Sequence, residues 1–181
     1  PSMEKARNLA LILLHEEPTS AIIFVNTRME ARQVTGYLKA EGFEAEMLSG
    51  ELTQVDRERV MGSIKANQLR FLVATDVAAR GIDVPGINLV VNYDAPRQAE
   101  DYVHRIGRTG RAGRSGIAVT FLGHADRHLV RQIERFTGNK VSMMEIEGLE
   151  PRTRGEVKPQ PRRGGPGQHR PKGRDGYSCL L

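Results

Sequence analysis

The residues best suited to chemistry in this chain lie in the twelve-residue stretch Tyr102 to Gly113, YVHRIGRTGRAG, where Arg105, Arg108 and Arg111 recur every third position among Gly107, Gly110 and Gly113. Arginines at this spacing lie near one edge of a helical turn or turn-like segment and can converge on one polyanion. A guanidinium offers a planar fork of donors that fits phosphate bidentately and stays charged at any working pH. The glycines let backbone and ligand approach closely. Phosphate is therefore the first ligand to propose. The plain alternative is a solvated basic helix end, against which Gly107 and Gly110 count, since interior helix glycines cost about 1 kcal/mol each.

Such arginines need a scaffold, and the hydrophobic periodicity supplies one. Residues 4–16, EKARNLALILLHE, have apolar positions at Leu9, Ile12 and Leu13 and predict an amphipathic helix ended by Pro18. Short apolar runs predict strands at 21–26, 43–48, 70–75, 87–93 and 116–122. Helical spacing returns over Thr27 to Glu41, with Gly42 as its stop, over Thr53 to Ala66, with Thr53 as N-cap, and over Ala125 to Phe136. Strands separated by helices of this length predict a mostly parallel sheet covered on both faces. Ligands of such sheets bind outside the carboxyl ends of the strands.

Those ends lead into Asn26, Thr27 and Arg28; into Ser49 and Gly50; into Thr75, Asp76, Arg80, Gly81 and Asp83; and into Asn92, Asp94 and Pro96. Each has an ordinary reading: Thr27 and Ser49 as helix caps, Gly50 and Gly81 as turn residues, Asp94 with Pro96 as a turn initiator. Their joint occurrence along one sheet edge, beside three spaced arginines, points to a binding site.

The 181 residues, 39% hydrophobic, suffice for one domain of ordinary size plus a tail. The division falls near residue 150. Residues 1–150 carry nineteen Lys or Arg against twenty acids; residues 151–181 carry eight against two, Glu156 and Asp175. A near-neutral body with a basic tail predicts a folded catalytic or recognition domain with an electrostatic tether for a polyanion. The tail, with six Gly and five Pro among its residues, has too few apolar positions for a core and is expected to be disordered. A single cysteine, Cys179, excludes an internal disulfide and a cysteine metal cluster. His124 and His128, four apart, make a weak metal pair without a further ligand, so no metal is expected. No apolar run reaches the roughly 18 residues of a membrane span. These features predict a cytoplasmic protein with no membrane partner.

Taken in order, the loops resemble the second RecA-like domain of the DEAD-box RNA helicases of helicase superfamily 2, from about Ile22 to about Phe136. IIFVNTR at 22–28 is similar to motif IV, LSGELTQVDR at 48–57 to the Gln-x-x-Arg region, and ATDVAARGID at 74–83 to motif V. VVNYDAP at 90–96 is similar to the segment that follows, and YVHRIGRTGR at 102–111 to motif VI, His104 favouring the DEAD-box type. The resemblance implies that Arg108 and Arg111 reach the γ-phosphate of ATP, with Arg111 as arginine finger. It implies that His104 couples this segment to the acidic motif of the other domain and that Asp83 accepts a hydrogen bond from the ATP ribose. Thr27, Gly50, Arg57, Thr75 and Gly81 would hold the RNA backbone, through groups that suit phosphate and sugar but read no base edge. Against these stand ordinary roles: Asp83 as a turn acid paired with Arg80, and Arg57 as a surface charge in a mixed run with Asp56 and Glu58. Arg105, by the family pattern, supports packing or salt bridges rather than a ligand.

The chain contains no G-x-x-x-x-G-K-[ST] and no Asp-Glu-Ala-Asp, the elements that cradle phosphates and hold Mg2+. In the family these belong to the first RecA-like domain. The chain is thus expected to be half of a two-domain ATPase, with RNA and that N-terminal domain as partners, binding no cofactor and inactive on its own. GLEPRTR at 148–154 is similar to a bacterial type of these helicases, which implies ribosome assembly and contact with ribosomal or other ribonucleoprotein components. The rival reading is an RNA-tethering or partner-binding module without ATP chemistry, which would have no use for both Arg108 and Arg111. A DNA helicase of the same superfamily is disfavoured by the HRIGRTGR form.

Overall fold

Three threonines, Thr27, Thr53 and Thr75, each close a loop and open a helix in the computed structural model, which describes residues 3–81, 84, 86–110, 115–123, 126–144 and 178–180. Their hydroxyl oxygens accept from the backbone N–H of Glu30, Asp56 and Ala78, satisfying donors that a helix start would otherwise leave open. Thr53 also donates to the Asp56 carboxylate at 2.7 Å, as the predicted N-cap. Thr53→Ala should lower domain stability by about 1 kcal/mol. Urea unfolding reads this directly; an unchanged midpoint would mean that water replaces the cap.

The elements run α1 Met3–Glu16, β1 Ala21–Phe24, α2 Arg28–Ala40, β2 Ala45–Leu48, α3 Gln54–Lys65, β3 Phe71–Ala74, α4 Asp76–Ala79, β4 Leu89–Asn92, α5 Ala99–Ile106, β5 Ile117–Leu122 and α6 Arg127–Thr137, then β6 Met143–Met144 and β7 Ser178–Leu180. Five strands are parallel in the order β2-β3-β1-β4-β5, with Ala21 opposite both Phe71 and Leu89. This is the RecA-like α/β sheet, with helices on both faces, that the alternating pattern predicts. Every residue of β1, β3 and β4 is buried because both faces are covered. Ile23, Val73 and Val91 face Leu9, Ile12 and Leu13 of α1 and Val34 and Leu38 of α2. Ile22, Leu72 and Val90 face Val60 and Ile64 of α3 and Ala78 and Ala79 of α4. A third cluster joins Ala99 and Tyr102 of α5 to Leu122 and to Leu129 and Ile133 of α6.

The predicted strands and the four longer helices are present, with ends shifted by a residue or two, and Gly42 (φ 86°) stops α2 as expected. The helices α4 and α5 were not among the sequence expectations. The expected disordered tail falls outside the described residues except for Ser178–Leu180, which lie antiparallel to Thr120–Leu122 and to Met143–Met144. Among the described residues, no helix is long and apolar enough to cross a membrane.

Candidate functional site

The arginine-rich segment begins as a helix. Apolar side chains at Ala99, Tyr102 and Ile106 seat one side of α5, acids at Glu100 and Asp101 occupy its first turn, and His104 and Arg105 its last, each favourable to the helix dipole. The helix passes at Gly107 into the turn residues Arg108 to Gly110. Six positions after Gly110, Gly116 leaves no room for a side chain: a Cβ there would meet Thr109 Oγ1 and lie 2.5 Å from the Gly110 nitrogen. Thr109 itself donates to the Ile87 carbonyl at 2.7 Å. The start of β5 is therefore pressed against the turn that carries Arg108.

Arg105 points inward and is only 1% exposed. Its Nε and Nη2 donate to the two carboxylate oxygens of Asp76, both at 2.7 Å. Nη1 donates to the Asp94 carbonyl at 2.8 Å and to Asn92 Oδ1 at 3.4 Å, and Nη2 also reaches Asn26 Oδ1 at 3.1 Å. All five N–H groups of the guanidinium are thus engaged, and its carbon lies 5.2 Å from the centre of the Phe24 ring. A buried charge survives only with such pairing. Arg105 is therefore a structural cation, the role that the family pattern implies for it.

The network extends outward on two sides. Asn92 donates to Thr120 of β5 at 2.9 Å, and the Asp94 carboxylate accepts from Lys5 Nζ at 2.5 Å and from the Asn26 backbone N–H at 2.8 Å. Lys5 also lies 4.3 Å from the centre of the Tyr93 ring. Burial, with Asp94 beside it, holds the Tyr93 hydroxyl well above the ordinary tyrosine range, and among the described residues that hydroxyl has no hydrogen-bond partner.

His104 and Arg108 stand one position before and three positions after Arg105. With Asp76, Arg80, Gly81, Asp101 and Arg105 itself they line a cleft of about 400 Å³ floored by Phe24 and Ala79. Three arginines, Arg80, Arg105 and Arg108, and an imidazole meet there on a space of ligand size, beside the carboxylates Asp76 and Asp101. Such a set can hold an anion and hydrogen-bond its hydroxyl groups. A second cavity, of about 460 Å³, opens on the far side of Asn26 and Asp94, between Lys5, Arg97 and Asp126.

The expected RNA contacts lie along the same carboxyl edge, because the strands that precede them are parallel neighbours. Of these, Gly81 alone shares the cleft with His104 and Arg108; Thr27, Gly50, Arg57 and Thr75 do not line it. The hydroxyls of Thr27 and Thr75 serve as caps, and Gly50 is exposed. Arg57 is half-buried and donates from Nη2 to the carbonyls of Ala78 at 3.1 Å and Arg80 at 3.2 Å, tying α3 to the end of α4. Arg28 and Arg32 both pair with Glu51 across the edge. Asp83 and Arg111 lie outside the described residues, as do His124 and the 148–154 segment.

The sequence reading placed Asn26, Asp76 and Asn92 at strand ends without giving them a task, and gave Asp94 only a turn with Pro96. The helix that carries Arg105 was obscured by Gly107 and Gly110. Ala99, Tyr102, Val103 and Ile106, at helical intervals with acids first and bases last, mark it.

Comparison with known proteins gives one consistent result. The model of the helicase conserved C-terminal domain matches residues 4–113. The ATP-dependent RNA helicase SrmB of Haemophilus influenzae is 41% identical over 158 residues, which cover 85% of this chain and 36% of that protein. The chain thus spans about a third of the length of this curated relative. Among solved structures, E. coli DEAD-box protein SrmB bound to the regulator of ribonuclease activity A is 35% identical with a TM-score of 0.78, over 86% of this chain and 91% of that one. S. cerevisiae Dbp5 bound to RNA and ADP BeF3 is 36% identical with a TM-score of 0.69, over 74% of this chain and 36% of that one.

Proposed function

Because the chain belongs to the DEAD-box family, as its helicase conserved C-terminal domain, we propose that it is the C-terminal half of an ATP-dependent RNA helicase and works across a cleft from an N-terminal RecA-like domain. The observation that carries this reading is the cleft beside α5: His104 and Arg108 line it with Arg80 and Gly81, and the buried Arg105, tied to Asp76, forms part of the same wall. This cationic, partly open wall fits a polyphosphate, and it is only a wall, since the chain lacks a phosphate-cradling loop. When bound between the domains, ATP with Mg2+ held by the N-terminal half supplies the phosphoanhydride whose cleavage drives the cycle.

The chain's own residues then act as follows. Arg108 and Arg111 present guanidinium groups to the γ-phosphate side, and Arg111 stabilises charge that grows in the transition state. His104 aligns α5 against the acidic motif of the other half, and Asp83 accepts from a ribose hydroxyl. Thr27, Gly50, Arg57, Thr75 and Gly81 grip the RNA backbone without reading sequence. Closure of the two halves strains a duplex locally, and release follows hydrolysis. The basic segment 151–181, beyond a domain of residues 1–150, tethers RNA through counterion release. The protein works in the cytoplasm; the relation to SrmB supports a task in ribosome assembly.

The test is ATP turnover with saturating RNA, by this chain and by the same chain preceded by a DEAD-box first domain. Turnover is expected from the joined protein alone. Turnover by this chain alone, abolished by Arg108→Ala, would place a complete phosphate site within it and overturn the two-half reading. RNA binding by the joined protein without any turnover would favour a tethering module.

A further inference from the structure

We infer that Asn26 and Asp76, both held by the Arg105 guanidinium, are positioning residues through which contact with RNA is coupled to the nucleotide-facing side of α5. The inference rests on the helicase reading above and goes beyond it by naming the junction.

Asn26 immediately precedes Thr27, and Asp76 immediately follows Thr75, so each is joined covalently to a residue of the RNA-facing edge. Both meet at one atom: Nη2 of Arg105 donates to Asp76 Oδ2 at 2.7 Å and to Asn26 Oδ1 at 3.1 Å. Arg105 follows His104 directly and precedes Arg108 by three positions, on the helix and turn that line the cleft. A shift of either RNA-facing loop must therefore move the guanidinium or break a hydrogen bond in the interior. With all five donors engaged, Arg105 has no alternative partner to absorb the motion without loss.

Asn26 is also fixed from its other sides. Its Nδ2 donates to the Ala95 carbonyl at 3.2 Å, and its backbone N–H donates to Asp94 Oδ2. The loops after β1, β3 and β4 consequently converge on one cation and move as a unit with α5. A contiguous polar network of this kind, with one stiff hub, is a physical route for coupling between two faces of a domain.

The experiment measures RNA affinity of the joined two-domain protein with and without a non-hydrolysable ATP analogue, for the wild type and for Asn26→Ala. The ratio of the two affinities is the coupling factor, typically about 5- to 150-fold in coupled systems. Asn26→Ala removes no charge and no core side chain, and it should cut the factor at least about 3-fold while RNA affinity without nucleotide changes by less than about 2-fold. Asn26→Ser, which keeps a short polar group, should restore part of it. An unchanged factor in Asn26→Ala, or an equal loss of RNA affinity with and without nucleotide, would overturn the inference and leave the helicase reading intact. A wild-type protein with no coupling would overturn the closing-cleft reading as well.

Discussion

Arg105→Ala is expected to destabilise this domain by about 3 kcal/mol, the low end of the cost of breaking a buried ion pair, because the Asp76 side chain left behind is 35% exposed. The loss has three parts. The Asp76 carboxylate gives up a bidentate cation; Asn26 Oδ1, Asn92 Oδ1 and the Asp94 carbonyl lose donors at buried or half-buried positions; and a cavity opens beside Phe24. Since domains are stable by only about 5–15 kcal/mol, much of the margin would go, and at about 2–4 °C per kcal/mol the melting temperature should fall by roughly 10 °C. Arg105→Lys should recover only part, because an ammonium cannot span two carboxylate oxygens, an amide and a carbonyl at once. Urea and thermal unfolding of this domain test the claim. A loss below about 1 kcal/mol would show that water enters and satisfies these groups.

Arg111→Ala has the other large expected effect, on rate rather than stability. In the joined protein it should lower ATP turnover by about 10³- to 10⁵-fold, the range for an arginine supplied to a transferring phosphoryl group. ATP affinity should change far less, since the interaction strengthens in the transition state. The comparison with Arg108→Ala is informative: Arg108 lines the cleft, so its loss should weaken ATP binding as well as turnover. Equal loss of affinity and turnover in Arg111→Ala would remove its claim to the finger role and leave it a ground-state ligand.

Much of the sheet was legible because the signals were local. The runs at Ala21–Phe24, Phe71–Ala74 and Leu89–Val91 are apolar throughout, which is what burial on both faces requires. Thr53 and Gly42 announce a helix start and a helix stop through their own backbone chemistry. The order of the loops along one edge followed from parallel strands. The burial of Arg105 had no such local signature. Its partners are 11, 13, 29 and 79 residues away in sequence, and no periodicity shows which arginine of an evenly spaced set turns inward. The family pattern pointed to a structural role; the five donors, and the choice of Asn26 and Asp76, are tertiary facts. Helix α4, a single turn capped by Thr75, is too short for a hydrophobic period to reveal.

The sheet order places β1 beside β4, where the chain departs from neighbouring strands in opposite directions, leftward to β3 and β2 and rightward to β5. Open parallel sheets commonly hold a small molecule in the crevice at such a topological switch point. Here Asn26 and Asp94 mark the two lips, and the space between them is filled by a guanidinium from the chain itself. The domain is, in effect, permanently liganded by its own side chain. The guanidinium occupies the middle of the crevice, and two openings flank it, one lined by His104 and Arg108 of the same helix and turn, the other by Lys5, Asn26 and Asp94. An isosteric small cation such as guanidinium, supplied to an Arg105→Ala protein, would therefore enter a prepared internal site, and the fold would behave as a receptor for a fragment it normally carries.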